Sequence, residues 1–383
     1  MRKIYLAVTM CLVTILSFAQ PAETPTKVIT DNGGQGTGTA TWSSDTVYVL
    51  EGRVFVNAGD VLTIEAGTVI KGRASEDPQN AAVLVVARGA QLIADGTAQA
   101  PIIFTAERDD VTVAGDVEEF ERGLWGGLVV LGNATTNRGG NEGQIEGIVD
   151  AEDPRVLYGG DNDEDNSGIL RYISIRHGGT AIAPDNEING LTLGAVGSGT
   201  TIEYIEVYAN FDDGVEWFGG TVNTKYLSVA FCGDDSYDYD EGFRGKGQFW
   251  FTIQDEDGDR GGEHDGGTDP ETGEPFAIPI VYNATYLGSG NPNDESPSRA
   301  LTLRDNAGGQ YWNSIFADFS RGIDVELLAS GTHSFDRLEA GEAAFAGDIF
   351  FNIDAGATAE DLFTITAGEF GDTPDSAATV DAA

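Results

Sequence analysis

The chain has 383 residues, 63 of them acidic against 21 basic, with 52 glycines and two cysteines. A formal charge of −42 excludes nucleic acid as a partner, because phosphate binding needs the opposite sign, and it argues against docking on an anionic membrane surface. Apolar residues, at 40%, suffice for a sizeable core, while glycine runs at nearly twice its usual ~7% and marks many tight turns.

Residues 1–19 read as a secretory signal. Arg2 and Lys3 form its charged start, residues 4–16 its apolar stretch, and Ser17-Phe18-Ala19 a small-residue cleavage site. The mature chain is therefore expected to begin at Gln20 and to be secreted, residing in the periplasm, on the outer surface or outside the cell. No later stretch is long and apolar enough to span a bilayer. Cys11 leaves with the signal, so Cys232 stands alone and no internal disulfide forms. At the end of the strand that starts at Tyr226, Cys232 reads as a small core residue rather than a nucleophile.

Residues 20–45, rich in Thr, Gly and Pro, read as an N-terminal linker or cap. Short apolar runs follow, among them Val54-Phe55-Val56, Val61-Leu62-Thr63-Ile64 and Val83-Leu84-Val85-Val86, set between Gly, Asn and Asp clusters. This is the punctuation of an all-β chain. Residues 46–132 are read as shorter early coils that end in the segment from Trp125 to Gly132.

Repeats then carry the argument. Tyr172-Ile173-Ser174-Ile175, Tyr204-Ile205-Glu206-Val207 and Tyr226-Leu227-Ser228-Val229 are three versions of one strand. Leu191-Thr192-Leu193, Val215-Glu216-Trp217 and Tyr237-Asp238-Tyr239 are versions of a second, and Leu301-Thr302-Leu303 precedes Ile323-Asp324-Val325 by the same step. The step is 22 residues from Val215 to Tyr237 and 24 from Leu191 to Val215. In each triplet the flanks belong in a core and the middle residue outside, so Trp217, Tyr237 and Tyr239 are expected to point inward. These facts predict an all-β, right-handed parallel β-helix over residues 46–353, with about 22–24 residues per coil. A β-sandwich does not require a constant step. A short helix is expected over residues 334–345, capped by Ser334, and residues 354–383 read as an acidic, Ala- and Thr-rich tail.

With these motifs placed, the chain resembles a large family of secreted β-helix proteins of Bacteroidetes and marine bacteria, with pectin-lyase-like architecture. The resemblance rests on residues 62–72, on Trp125-Gly126-Gly127-Leu128-Val129-Val130-Leu131-Gly132 and on Asp212-Asp213-Gly214-Val215-Glu216-Trp217-Phe218-Gly219-Gly220-Thr221. It rests equally on Asn186-Glu187-Ile188-Asn189-Gly190-Leu191-Thr192-Leu193 and spans most of residues 42–352. It implies a β-helix exported to the cell surface and adds almost nothing about chemistry.

The repeat converts spacing into geometry. Asp212 and Asp234 are one step apart, as are Asp213 and Asp235, and Glu216 and Asp238. Coils stacked roughly 4.8 Å apart bring these acids into ladders. Like charges there repel unless a cation or the basic pair Arg244 and Lys246 neutralises them. Carboxylate-rich, flexible sites suit Ca²⁺, and the candidate ligands are Asp212, Asp213, Asp234, Asp235 and Asp240 together with Asp255, Asp257 and Asp259. Another alternating loop holds Asp161, Asp163 and Asp165; like the Asp255 loop, it departs from an EF-hand at its sixth and twelfth positions. A solvated acidic face is the competing reading for all of these.

Three functions stay open at this point. The preferred one is a surface binding module with a Ca²⁺-binding acidic face that engages extracellular glycan or cell-surface matrix. The second is an enzyme on the same face. A glycoside hydrolase would use Glu216 with Asp238 or Asp240, and a Ca²⁺-dependent polysaccharide lyase would use Arg244 or Lys246 as base. The third is a structural stalk or assembly subunit. His177, His264 and His333 lie too far apart in the repeat to form a metal site or a triad.

Overall fold

A computed structural model describes residues 24–148, 153–182, 187–267, 269–290, 298–328 and 332–367. Residues 1–19, where a leader and its cleavage site are expected, and the tail beyond 367 lie outside the described residues. Parallel strands stack coil on coil into a right-handed β-helix with three faces. One coil shows the plan. Thr201–Tyr208 supplies the first and second faces, and Val215–Phe218 supplies the third. The next coil repeats it with Thr224–Ala230 and Tyr237–Asp240. Val207 lies beside Val229 and Val215 beside Tyr237, in the parallel register that the 22-residue step requires.

The first and second faces meet at a bend where one residue per coil takes a left-handed conformation. Tyr172, Tyr204, Tyr226 and Phe249 have φ between 49° and 58°, and Asn283 and Asn313 continue the series. Bulky residues avoid this region. Here the aromatic rings stack along the axis, with centroids 4.3, 4.4 and 5.2 Å apart, and offset the backbone cost.

Inside the coils, Trp217, Tyr237 and Tyr239 are fully buried, as the alternation predicts, and Trp217 stacks on Trp250 at 5.0 Å. Cys232 is a core residue whose thiol burial pushes up to about 12. His264 is also in the core, where burial lowers its pKa to about 3 and its Nε2 meets the Tyr311 hydroxyl at 2.7 Å.

Four local expectations change. The segment read as a linker already pairs: Thr26–Ile29 lies on Val47–Leu50, and Ala40–Trp42 lies on Val61–Ile64. The early coils are not shorter, since Val47 pairs with Val69 at the basic step, and Val61 with Gln91 and Val69 with Ile103 at longer ones. The helix spans only Ser334–Glu339 and is entered from His333, whose N–H donates to Asp336 Oδ2 at 3.4 Å. It stops because Gly341 turns at φ +73° and Ala343–Ala346 returns to the sheet. In the acidic tail, Ala359–Leu362 is helical and Phe363–Ala367 pairs with Arg321–Leu327.

Candidate functional site: an acidic cleft on the third face

On the third face one outward residue per strand forms a row along the axis. In order it reads Phe55, Val85, Val129, Thr192, Glu216, Asp238, Glu263, Thr302 and Asp324. The apolar start of the row is covered by residues 133–148 and 153–160, which bring Ile145, Ile148, Val156 and Tyr158 against Phe55, Val85 and Val129. Tyr158 also donates to Glu241 Oε2 at 2.8 Å, and Arg138 pairs with Glu241 Oε1 at 2.6 Å. The excursion is thereby clamped to the corner of the third face. Where the row turns acidic it becomes the floor of a cleft of about 590 Å³.

Each wall has a separate origin. Glu146 arrives on the clamped excursion, and Glu187 on the loop before Leu191–Gly194. Asp212, Asp213 and Asp234 come from the turns entering the third-face strands, and Asp240 and Asp265 from the strand ends. Arg122, Asp257 and Arg304 complete the charged lining, so eleven carboxylates face two guanidiniums.

Those guanidiniums are already engaged. Arg304 grips Asp265 through two hydrogen bonds of 2.6 and 2.9 Å and reaches Glu263 at 3.2 Å. Burial disfavours its charge, but Asp265 and Glu263 outweigh burial and raise its pKa. Arg122 holds Asp255 at 2.5 Å and Asp257 at 2.8 Å. Beside the cleft, Arg260 pairs with Asp235, Asp259 and Glu263 at 3.0–3.1 Å.

Glu216 and Asp238 have no ion pair among the described residues. Glu216 is 5% exposed and accepts a hydrogen bond from Asn189 Nδ2. Asn189 is itself buried, and its Oδ1 has no hydrogen-bond partner. Asp238 Oδ1 is shielded from solvent and likewise unpartnered. Asp213 Oδ1 accepts from the backbone N–H of Asp235 at 2.9 Å. Burial, then the neighbouring carboxylates, push Asp213, Glu216 and Asp238 well above the ordinary carboxylate range. The same causes bring Glu146, Asp212 and Asp234 to about 7. Burial lifts Asp235 to about 8, even against Arg260.

Two trios of carboxylates offer oxygen atoms within 4.8 Å of one another: Asp213 with Glu216 and Asp238, and Asp212 with Asp213 and Asp234. Asp213 belongs to both. A dense, all-oxygen donor set with orphaned acceptors is what a hard divalent cation requires. Asp234, Asp235 and Asp259 form another such trio, but Arg260 already neutralises it.

Of the residues singled out in the sequence, Asp212, Asp213, Glu216, Asp234, Asp238 and Asp240 thus converge on one cleft, with Asp257 at its rim. Asp255 and Asp259 serve Arg122 and Arg260 instead. Arg244 lies outside the cleft, paired with Asp163 at 3.0 Å. Lys246 lines a different groove, on the first face. The Asp161 loop does not gather its acids either: Asp163 takes Arg244, and Asp165 accepts from Asn133 at 3.0 Å. Glu146, Glu187, Arg122 and Arg304 carry no signal in linear spacing. Glu263 did carry one, as the register partner of Asp238, hidden by a coil longer than 22 residues.

Residues 34–378 match the pectate-lyase-like β-helix domain. The chain belongs to that family. No curated protein and no solved structure matches it. A pectate-lyase-like β-helix fits a carbohydrate-related role, and this member carries acidic clusters in the third-face cleft. Among the described residues no helix is long and apolar enough to cross a membrane.

Proposed function

We propose that the third-face cleft is a Ca²⁺-dependent glycan-binding site on an exported, cell-surface β-helix. The observation that carries this reading is the trio Asp213, Glu216 and Asp238, with oxygens within 4.8 Å and Asp238 Oδ1 unpartnered. Three clustered carboxylates without an ion pair among the described residues repel one another, and a dication removes that repulsion while giving the orphaned oxygen a partner. Asp213, Glu216 and Asp238 would hold one ion, and Asp212 and Asp234 flank it. Sugar hydroxyls or carboxylates entering the cleft would complete the shell of such an ion. Calorimetric titration of the full chain with Ca²⁺, followed by a glycan panel in Ca²⁺ and in chelator, tests it. Glycan binding that is lost in chelator supports the reading; absence of Ca²⁺ binding overturns it.

A glycoside hydrolase is the second reading, favoured by the raised pKa of Glu216, which would keep a proton near neutral pH for a leaving group. Reducing-end assays on the same panel separate the two. The lyase reading has less support, because Arg244 and Lys246 do not line the cleft. Arg304, which does, is kept protonated by Asp265 and Glu263 and is a poor base.

A further inference from the structure

On the first face a different outward row runs along the axis: Arg171, Glu203, Lys225, Gln248, Tyr282 and Trp312, each in register with the next. Arg171 pairs with Glu203 at 3.3 Å. Beyond that pair the character changes. Lys225 and Lys246, on successive coils, have no ion pair among the described residues, although acids outnumber bases threefold in this chain. Both line a groove of about 470 Å³ with Asn223, Gln248 and Tyr282; Glu203 also lines it, its carboxylate engaged by Arg171. Asn223 Oδ1 accepts from the backbone N–H of Lys246 at 3.1 Å, which leaves its amide donors for another partner. Trp312 stacks on Tyr282 at 6.3 Å, and Tyr282, 41% exposed, closes the groove. The Lys225 ammonium sits 4.9 Å over the Tyr226 ring, which steadies the side chain while leaving its charge available.

We infer that this groove binds a sulfated polysaccharide laid along the helix axis, independently of any metal ion. Lysine is a compact point charge with three donors, suited to a tetrahedral sulfate ester, whereas planar carboxylates favour the arginine fork, and among the described residues no arginine lines this groove. Coils roughly 4.8 Å apart advance by about one sugar ring per coil, so successive rings meet Lys225, then Lys246 and Gln248, then the Tyr282 face. The net charge of −42 repels polyanions at long range, so binding rests on the short-range contacts within the groove.

The full chain is titrated in chelator with dextran sulfate, neutral dextran and polygalacturonate. Chelator silences Ca²⁺-dependent recognition at the third-face cleft, so the two proposals fail separately. Dextran sulfate is expected to bind, and Lys225→Ala with Lys246→Ala to weaken it about tenfold or more. Lys27→Ala with Arg108→Ala, at exposed positions outside the groove, removes the same two charges and leaves affinity unchanged. Melting temperatures close to the parent verify that the variants fold. The inference is overturned by any of three results: no binding of dextran sulfate, binding that survives the double lysine variant, or polygalacturonate bound as tightly.

Discussion

Glu216 and Asp238 stand opposite each other on adjacent parallel strands, one coil apart, and neither has an ion pair among the described residues. The next carboxylate in the row, Glu263, is neutralised by Arg260 and Arg304. Asp212, Asp213 and Asp234 beside them likewise have no ion pair among the described residues, so unbalanced charge gathers around this pair, and the expected behaviour of the protein follows from it.

Millimolar Ca²⁺ should raise the melting temperature relative to chelator. A ligand at a hundredfold excess over its Kd stabilises the folded state by about 2.7 kcal/mol. Asp238→Asn should abolish most of that gain. In chelator the same variant should be as stable as the parent or more so, because it removes a charge from a like-charged stack while keeping its shape. Equal melting temperatures with and without Ca²⁺ would sink the cation site.

The pH dependence has a defined sign. Glu146, Asp212 and Asp234 titrate near 7 in the folded protein, above the ordinary carboxylate values of the unfolded chain. The folded state thus binds more protons between about pH 4 and pH 7, and stability in chelator falls as pH rises through that window. Melting in chelator should be higher near pH 6 than near pH 8, with Ca²⁺ reducing the difference. Ca²⁺ binding near pH 6.5 should also release protons, which calorimetry in buffers of different ionisation enthalpy detects. A melting temperature that climbs with pH in chelator would contradict the assignment.

Arg304 and Arg244 should behave differently. Arg304→Ala leaves Asp265 and Glu263, both largely buried, without their shared partner and should cost about 2 kcal/mol or more. Arg244→Ala breaks a more exposed pair with Asp163 and should cost less than about 1 kcal/mol. Denaturant unfolding of both variants measures the difference, and equal effects would mean that Arg304 does not organise the cleft.

Export makes a separate prediction. N-terminal sequencing of the protein recovered from outside the cytoplasm should read from Gln20, and a retained Met1 would refute cleavage after Ala19.

The amino-acid sequence by itself determined the coil. Backbone pairing between coils is parallel and evenly spaced, so a 22-residue step in sequence becomes a lateral neighbour in space; Val215 beside Tyr237 and Glu216 beside Asp238 were readable from spacing alone. Side-chain alternation likewise assigned Trp217, Tyr237 and Tyr239 to the core. The tertiary structure alone decided what surrounds the acid ladder. Glu146 and Glu187 reach it on excursions whose length obeys no step, and Arg122 and Arg304 approach from about 90 residues to either side of Glu216. It also decided what does not reach it: Arg244 and Lys246 follow the ladder closely in sequence, yet the chain turns a corner after Asp240 and carries them away from the cleft. A repeat encodes the contacts between equivalent positions of neighbouring coils, whereas contacts made by the loops between coils depend on where the whole solenoid folds them.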